Sequence, residues 1–348
     1  MRAALLCLVL LAIGCDRWAP CALPAEWRVD VRRVSTDSAA STYVRPSTNG
    51  DLLVLLSDFE PVTVAGMTVI GAHLLRVGDN GSILGLAPVD VDGRVPTSFA
   101  VTDDGRALLL NGSRVLAYGA DLSPAWSYSI PDAPYAYNIG FAAAPSGESA
   151  VMFQNSSAIW PLRYLGVDGR ERWTVDRTTF GSIRFAANAD VIVDDGQAAM
   201  RYAAADGAQL GTVPSNPGPG VLYQRDGSSL VVSGFSLDGF VISRLAADGR
   251  EQWTQTFPRR LAQWNTYDGQ GPAAIVGASG DVVFSSVKLP SHTDVEQTEV
   301  VRLAGDSGDV LDTFENCDAF QIIASDDDGY IATGQLGSAA GLGRYPWP

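Results

Sequence analysis

The sequence predicts an all-β fold: a single seven-bladed β-propeller whose last blade is completed by a strand from the N-terminal end of the chain. Three observations predict it. A tight turn followed by an apolar strand recurs seven times. Behind it recurs a strand, usually with an Arg, that leads into a second tight turn. After that turn comes a further strand, often opened by Trp, which appears six times in order and once more near the N-terminal end.

The first signature begins with Asn49-Gly50-Asp51-Leu52-Leu53-Val54-Leu55. It recurs at Asp104-Gly105, Ser146-Gly147, Asn188-Ala189-Asp190, Asp226-Gly227, Ser279-Gly280 and Asp328-Gly329. Asp-Gly and Asn-Gly supply the positive-φ residues of tight hairpins, and the apolar run behind each reads as a buried strand. The second signature reads Leu75-Arg76-Val77 to Gly81, Leu162-Arg163-Tyr164 to Gly169, Met200-Arg201-Tyr202 to Gly207, Ser243-Arg244-Leu245 to Gly249 and Val301-Arg302-Leu303 to Gly308. Arg114 to Leu122 is a variant, and Leu342-Gly343-Arg344-Tyr345 has no turn after it. The third opens at Trp126, Trp173 and Trp253, with Leu84, Leu210 and Leu311 in the Trp place elsewhere. Its displaced copy, Glu26-Trp27-Arg28-Val29-Asp30, matches Arg172-Trp173-Thr174-Val175-Asp176.

Each unit is about 35–60 residues with roughly four strands, the size of a propeller blade. A lone blade leaves both faces open. Stacking blades around an axis covers them, and closing the ring covers the last two. The Trp27 strand then serves as the outer strand of blade seven.

The units resemble the repeats of bacterial secreted and lipoprotein β-propellers, within the quinoprotein-like propeller superfold. The shared pattern is a strand, Arg or Lys, Leu, then Gly and Trp opening the next strand. The match covers nearly all of 25–348, and the insert from Phe59 to Gly81 is especially similar to such repeats. The resemblance implies architecture and little about activity, since propellers host enzymes, lectins and scaffolds.

Residues 1–14 read as a signal peptide: Arg2, then an apolar run from Ala3 to Ile13, then Gly14. The run is shorter than the ~20 residues a spanning helix needs. Leu11-Ala12-Ile13-Gly14-Cys15 resembles a bacterial lipobox, which implies lipidation of Cys15 and a 15–24 linker ahead of the propeller. Ala12 stands where that motif usually has Leu. The alternative is cleavage near Ala22 or Ala25 and a secreted product. With Cys7 lost in the leader and Cys15 acylated, Cys21 and Cys317 are left for a disulfide in an oxidising compartment. Ring closure through the Trp27 strand is expected to bring them together.

The net charge of −15 repels phosphate backbones, so nucleic acid is not an expected partner. His73 and His292 have no partner at metal-ligand spacing. Asp90-x-Asp92-Gly93 and Asp326-Asp327-Asp328-Gly329 lack the ligand alternation of a calcium loop and read as turns. No phosphate loop or nucleophile elbow occurs, and neither cofactor nor metal is expected. The once-per-blade Arg and Trp positions are expected to pack the outer strands, with a lectin-like series as the alternative.

The tight turns should share one face. The connections Phe59 to His73, Val89 to Ser98, Pro214 to Gly220, Pro258 to Gly271 and Val287 to Gln297 vary in length and should share the other. Variable loops on a rigid body commonly carry binding groups. Phe59, Tyr135, Tyr137, Trp264 and Tyr267 are the candidates there. The expectation is a non-catalytic module of the bacterial cell envelope (outer membrane or periplasm), lipid-anchored and binding an envelope protein or glycan. The alternatives are an envelope assembly scaffold and a quinoprotein-like enzyme.

Overall fold

The structure is a computed structural model. It describes residues 25–33, 42–47, 49–57, 60–64, 66–90, 96–131, 139–154, 159–186, 188–213, 220–223, 228–233, 239–246, 250–258, 260–261, 274–277, 279–288, 297–315, 321–334 and 341–347. Among them every regular element is a β-strand.

Seven antiparallel sheets form the blades of a β-propeller, six of them running from the innermost to the outermost strand in chain order. Blade I is Thr42–Pro46, Leu52–Leu56, His73–Val77 and Ile83–Pro88. Blade II is Ser98–Val101, Ala107–Asn111, Arg114–Tyr118 and Pro124–Ser129. Blade III is Gly140–Ala143, Ser149–Met152, Trp160–Leu165 and Glu171–Arg177. Blade IV is Ser182–Phe185, Val191–Asp194, Ala199–Tyr202 and Gln209–Val213. Blade V is Gly220–Tyr223, Ser229–Ser233, Phe240–Leu245 and Glu251–Phe257. In blade VI the inner position is shared by two short strands, Arg260–Leu261 and Ala274–Val276, before Val282–Lys288, Gln297–Leu303 and Val310–Glu315. Blade VII is Gln321–Ser325, Gly329–Gly334 and Gly341–Pro346, with Trp27–Arg33 as its fourth strand.

Ring closure follows the expected route, with Trp27, Arg28, Val29 and Asp30 opposite Arg344, Gly343, Leu342 and Gly341. The same strand then continues into a second pairing: Val31 and Arg33 lie opposite Val64 and Val62 of a hairpin, Val62–Val64 and Met67–Val69. That hairpin is inserted in blade I. The variable connection after Phe59 is therefore partly a clasp on the ring seam. Val62 and Val64 are buried in a cluster with Val29 and Val31.

The second strand of each blade shows why the sequence reads as unbroken apolar runs. Leu52, Val54 and Leu56 face blade VII and pack with Ile323 and Ile331. Leu53 and Leu55 face blade II and pack with Phe99 and Leu109. Both faces are dry, so alternation disappears, and burial of each such side chain contributes about 1.5–3 kcal/mol.

A β-bulge recurs at one position in six blades, between Arg76/Val77, Ala117/Tyr118, Tyr164/Leu165, Arg201/Tyr202, Arg244/Leu245 and Arg302/Leu303. It re-aims the third strand just before its turn. It also aligns the repeats and corrects them by a residue: Tyr164, not Arg163, is equivalent to Arg76, and Gly85, Gly211 and Asp312, not Leu84, Leu210 and Leu311, stand where Trp173 and Trp253 do. Tyr164 stacks on Trp173 with ring centroids 5.0 Å apart.

Candidate functional site

The two ends of the ring are built differently. At one end lie the tight turns joining strands one to two and three to four. Here the outer-strand Trp of one blade lies over the turn glycine of the next. Trp126 donates from Nε1 to the Val167 carbonyl at 3.0 Å, Trp173 to Ala204 at 3.0 Å, and Trp253 to Gly305 at 2.9 Å. Trp27 closes the ring on Asp79 at 2.7 Å. A Cβ built at Gly169 would sit 2.5 Å from the Trp126 ring, and Gly81, Gly207 and Gly308 are as tightly covered by their Trp neighbours.

Where the Trp is missing, both positions change. Gly85, not the exposed Leu84, stands in the Trp place of blade I, and the glycine place of the next turn is held by Leu122, a buried residue at φ 65° whose side chain lies against Gly85. At the junction of blades VI and VII the C-terminal Trp347 packs on Phe314 and Tyr330, and Nε1 reaches the Asp326 carbonyl at 2.8 Å.

Several of the recurring arginines pair within their own blades, to the acid at the start of strand two, while Arg244 donates to the Gly305 carbonyl of the next blade. The pairs are Arg76–Asp51, Arg201–Asp190 and Arg302–Asp281, with Arg344–Asp326 beside them. Burial raises the Asp190 carboxyl, but the Ala204 N–H, Asn188 and Arg201 outweigh it and hold the group below its ordinary range. The Arg and Trp series are thus structural. Asp326 accepts from the N–H groups of Asp328 and Gly329, so that acidic run is turn chemistry.

The opposite end carries the connections of varying length. The sequence candidates Phe59, Tyr135, Tyr137, Trp264 and Tyr267 lie outside the described residues, as do Cys15, Cys21, Cys317 and His292. Trp264 and Tyr267 belong to the stretch that interrupts the inner strand of blade VI, between Leu261 and Ala274. His73 opens the third strand of blade I, and its Nδ1 lies 3.1 Å from the Gly71 carbonyl.

The described part of this loop face holds one cluster that the repeats do not require, at the junction of blades III and IV. Trp160 opens the third strand of blade III opposite Arg177. Phe180, in the connection to blade IV, is 41% exposed and packs on Trp160 at 4.7 Å between centroids. Gly140 makes room for it, since a Cβ there would meet Phe180 and Ile183. Beside this pair runs a polar network. Arg177 donates to Tyr202 Oη at 2.6 Å and approaches Thr179, whose hydroxyl donates to Asp195 at 3.0 Å. Arg184, on the inner strand, donates to Asp194 at 3.1 Å.

Asp194 and Asp195 form the turn between strands two and three of blade IV. Asp195 accepts the N–H groups of Ala198 and Gln197, which, with Thr179 and Arg177, hold its carboxyl below the ordinary value. It is ionised at neutral pH and serves as an acceptor, not as a proton donor. Arg177 and Asp194 are buried and bonded within this network, so what reaches solvent is the Phe180 ring braced by Trp160, a surface suited to stacking. Sequence reasoning passed over Trp160 and Phe180 because it looked for Trp at the opening of fourth strands. An aromatic residue in a short connection, Phe180-Gly181, was the available signal.

Among the described residues no group of three or more His, Cys, Asp or Glu side chains could hold a metal ion. Among the same described residues no helix is long and apolar enough to cross a membrane.

No known family profile matches this chain, and no curated protein matches it either. Solved structures do. A catalytically inactive virginiamycin B lyase from Staphylococcus aureus with Quinupristin is 12% identical; the likeness covers 92% of this chain and 99% of that one at a TM-score of 0.51. A chain of the mitotic checkpoint complex is 11% identical over 94% of this chain and 93% of its own, at 0.58. The Neurospora crassa Pan2 WD40 domain is 7% identical over 94% and 98%, at 0.54. At these identities the likeness shows the fold alone, a β-propeller, which does not by itself fix an activity.

Proposed function

We propose that this chain is a non-catalytic binding module of the bacterial cell envelope that engages a protein or glycan through its loop face. The observation that carries the reading is the unequal construction of the two ends. One is closed by Trp–carbonyl bonds and Arg–Asp pairs. The other displays Phe180, braced by Trp160, over a polar network between blades III and IV that the repeats do not require. The lipidated Cys15 and a Cys21–Cys317 disulfide belong to the same reading, which places the module on the envelope.

The test compares two variants by detergent pull-down from the native envelope and on a glycan array. Trp160→Ala with Phe180→Ser should lose the bound species, while the turn-face variant Asp206→Asn keeps it. Equal retention by both variants overturns the assignment of the face. A lyase reading is checked separately by incubation with quinupristin. The expected result is unchanged compound; turnover would overturn the non-catalytic reading.

A further inference from the structure

We propose that the turn-face end of the junction between blades IV and V is a docking site for a tryptophan side chain carried by a partner protein. The site lies at the opposite end of the ring from Phe180, and it stands or falls independently of the loop-face reading.

The other junctions show what belongs there. Four of them place an outer-strand Trp over the next turn. At I/II, Leu122 lies against Gly85 instead. At VI/VII the outer strand has Asp312 opposite Arg302, and the ring comes from outside that strand: the Arg302 guanidinium sits 4.9 Å from the centroid of the Trp347 ring, which also packs on Phe314. Blade IV repeats this arrangement without the ring. Its outer strand has Gly211 opposite Arg201, and no described atom lies within 4 Å of a Cβ built at Gly211. The facing turn of blade V reads Ala246-Ala247-Asp248-Gly249 in sequence, with no side chain the size of Leu122.

The surroundings of Gly211 suit a ring. Gln209 to Thr212 are all exposed. The Arg201 side chain is 35% exposed, against 10% for Arg76 and 19% for Arg302. Arg76 and Arg244 each reach a carbonyl of the following blade, whereas Arg201 is turned back on Asp190 and Asn188 of its own. Its guanidinium is thus fixed in place and left accessible, a platform for cation–π stacking of the kind Arg302 makes with Trp347. Apolar clusters bridge the other six junctions, and among the described residues none bridges IV to V. Gly211 has φ 131°, a conformation that favours glycine, so the outer strand is not shaped to carry the ring itself. The ring has to come from elsewhere, as it does at VI/VII. An indole brings both a flat face for Arg201 and an N–H for a turn carbonyl, and Trp is the side chain most enriched among interface anchors.

The test is photolabelling of the full chain with N-acetyl-L-tryptophanamide bearing a diazirine on the indole, followed by peptide mass spectrometry. Label should concentrate in 199–213 or 243–253. One anchoring side chain binds with an affinity on the order of 1 mM, so unlabelled N-acetyl-L-tryptophanamide at about 10 mM should cut the labelling at least about fivefold; N-acetyl-L-leucinamide should not. Arg201→Lys keeps a cation beside Asp190 but gives up the planar face, and should reduce labelling at least about threefold. Trp160→Ala with Phe180→Ser should leave it unchanged. Folding of each variant is checked by near-ultraviolet circular dichroism, and the map on the wild-type chain decides if Arg201→Lys does not fold. Label on the loop face, label spread evenly over the chain, equal labelling of a folded Arg201→Lys, or no protected labelling at all (the outcome if another segment of this chain fills the place) overturns the site.

Discussion

Gly169→Ala tests the idea that Trp-on-glycine contacts hold the blades in register. Gly169 has φ 74°, and its Cβ would stand 2.5 Å from the Trp126 ring. A left-handed conformation costs an L-residue about 1–2 kcal/mol. Displacing the ring adds about 1–3 kcal/mol of overpacking, and the strained Trp126–Val167 bond adds about 1 kcal/mol. The total is about 3–6 kcal/mol. Gly66→Ala is the control: it has φ 80° and nothing within 4 Å of its Cβ, so only the backbone cost applies. With an unfolding entropy near 2.1 cal/mol/K per residue over about 320 residues, 1 kcal/mol corresponds to ~1.5 °C. Differential scanning calorimetry should therefore show Gly169→Ala melting about 4–9 °C below wild type, against about 1–3 °C for Gly66→Ala. In a Trp126→Leu background the excess cost at residue 169 should fall, as expected for coupled contacting sites. Equal melting losses for the two glycine variants would refute the seam.

Three further outcomes follow from the structure. Leu122→Gly relieves a positive φ but empties a buried contact, so it should destabilise by about 2 kcal/mol; adding Gly85→Trp should restore a good part of that in urea midpoints, and no recovery would break the equivalence of Trp over Gly with Leu122 over Gly85. Asp190→Asn should destabilise at neutral pH. Because the folded carboxyl lies below its ordinary value, its stabilisation is full above the unfolded pKa of about 4 and fades as pH drops through the lower folded value. Chemical denaturation of both proteins at pH 7 and at pH 2 should show the gap closing, and a gap independent of pH would contradict the role of the charge. For the staple, intact mass before and after reduction should show a gain of about 2 Da, one hydrogen per sulfur. The fourth strand of blade VI ends on the loop face at Glu315 while Trp27 starts on the turn face, so a Cys21–Cys317 bond requires an extended run along the blade; free thiols throughout would remove it.

The fold was legible because a propeller repeats its information. Seven tight turns, six of them bearing Gly and one Ala189, each followed by an apolar strand, leave little choice of architecture, and a Trp strand without a blade at Ala25 to Val31 pointed to the seam. Two features were not legible. Nothing in Val62-Thr63-Val64 announces that it pairs with Val31 and Arg33, since strand pairing is a property of register between distant segments and not of composition. The equivalence of Tyr164 with Arg76 was hidden because a conspicuous Arg163 stands one residue away, and in a strand one residue changes the face. The loop face was the least legible part. Its side chains answer to no repeat, so Phe180 carries no periodic signal, and the candidates nominated by aromatic content fell in other connections.

The division between the two ends also explains how such a ring tolerates change. The blade junctions VII/I, II/III, III/IV and V/VI are sealed at the turn face by Trp over glycine, and I/II by Leu122 against Gly85; the Trp contacts use backbone carbonyls, and all of them use a missing Cβ. They are indifferent to what the opposite connections contain. The inserted hairpin in blade I shows the limit of that freedom. It began as a variable connection and now bears on closure, because Val62 and Val64 add a second partner to the strand that seals the ring. A loop that contributes buried apolar surface to a seam is no longer free to diverge for binding. The same reasoning separates Phe180 from Val62 on one face: both lie in connections, but only the hairpin valine is buried against the closing strand, and only the phenylalanine remains available to a partner.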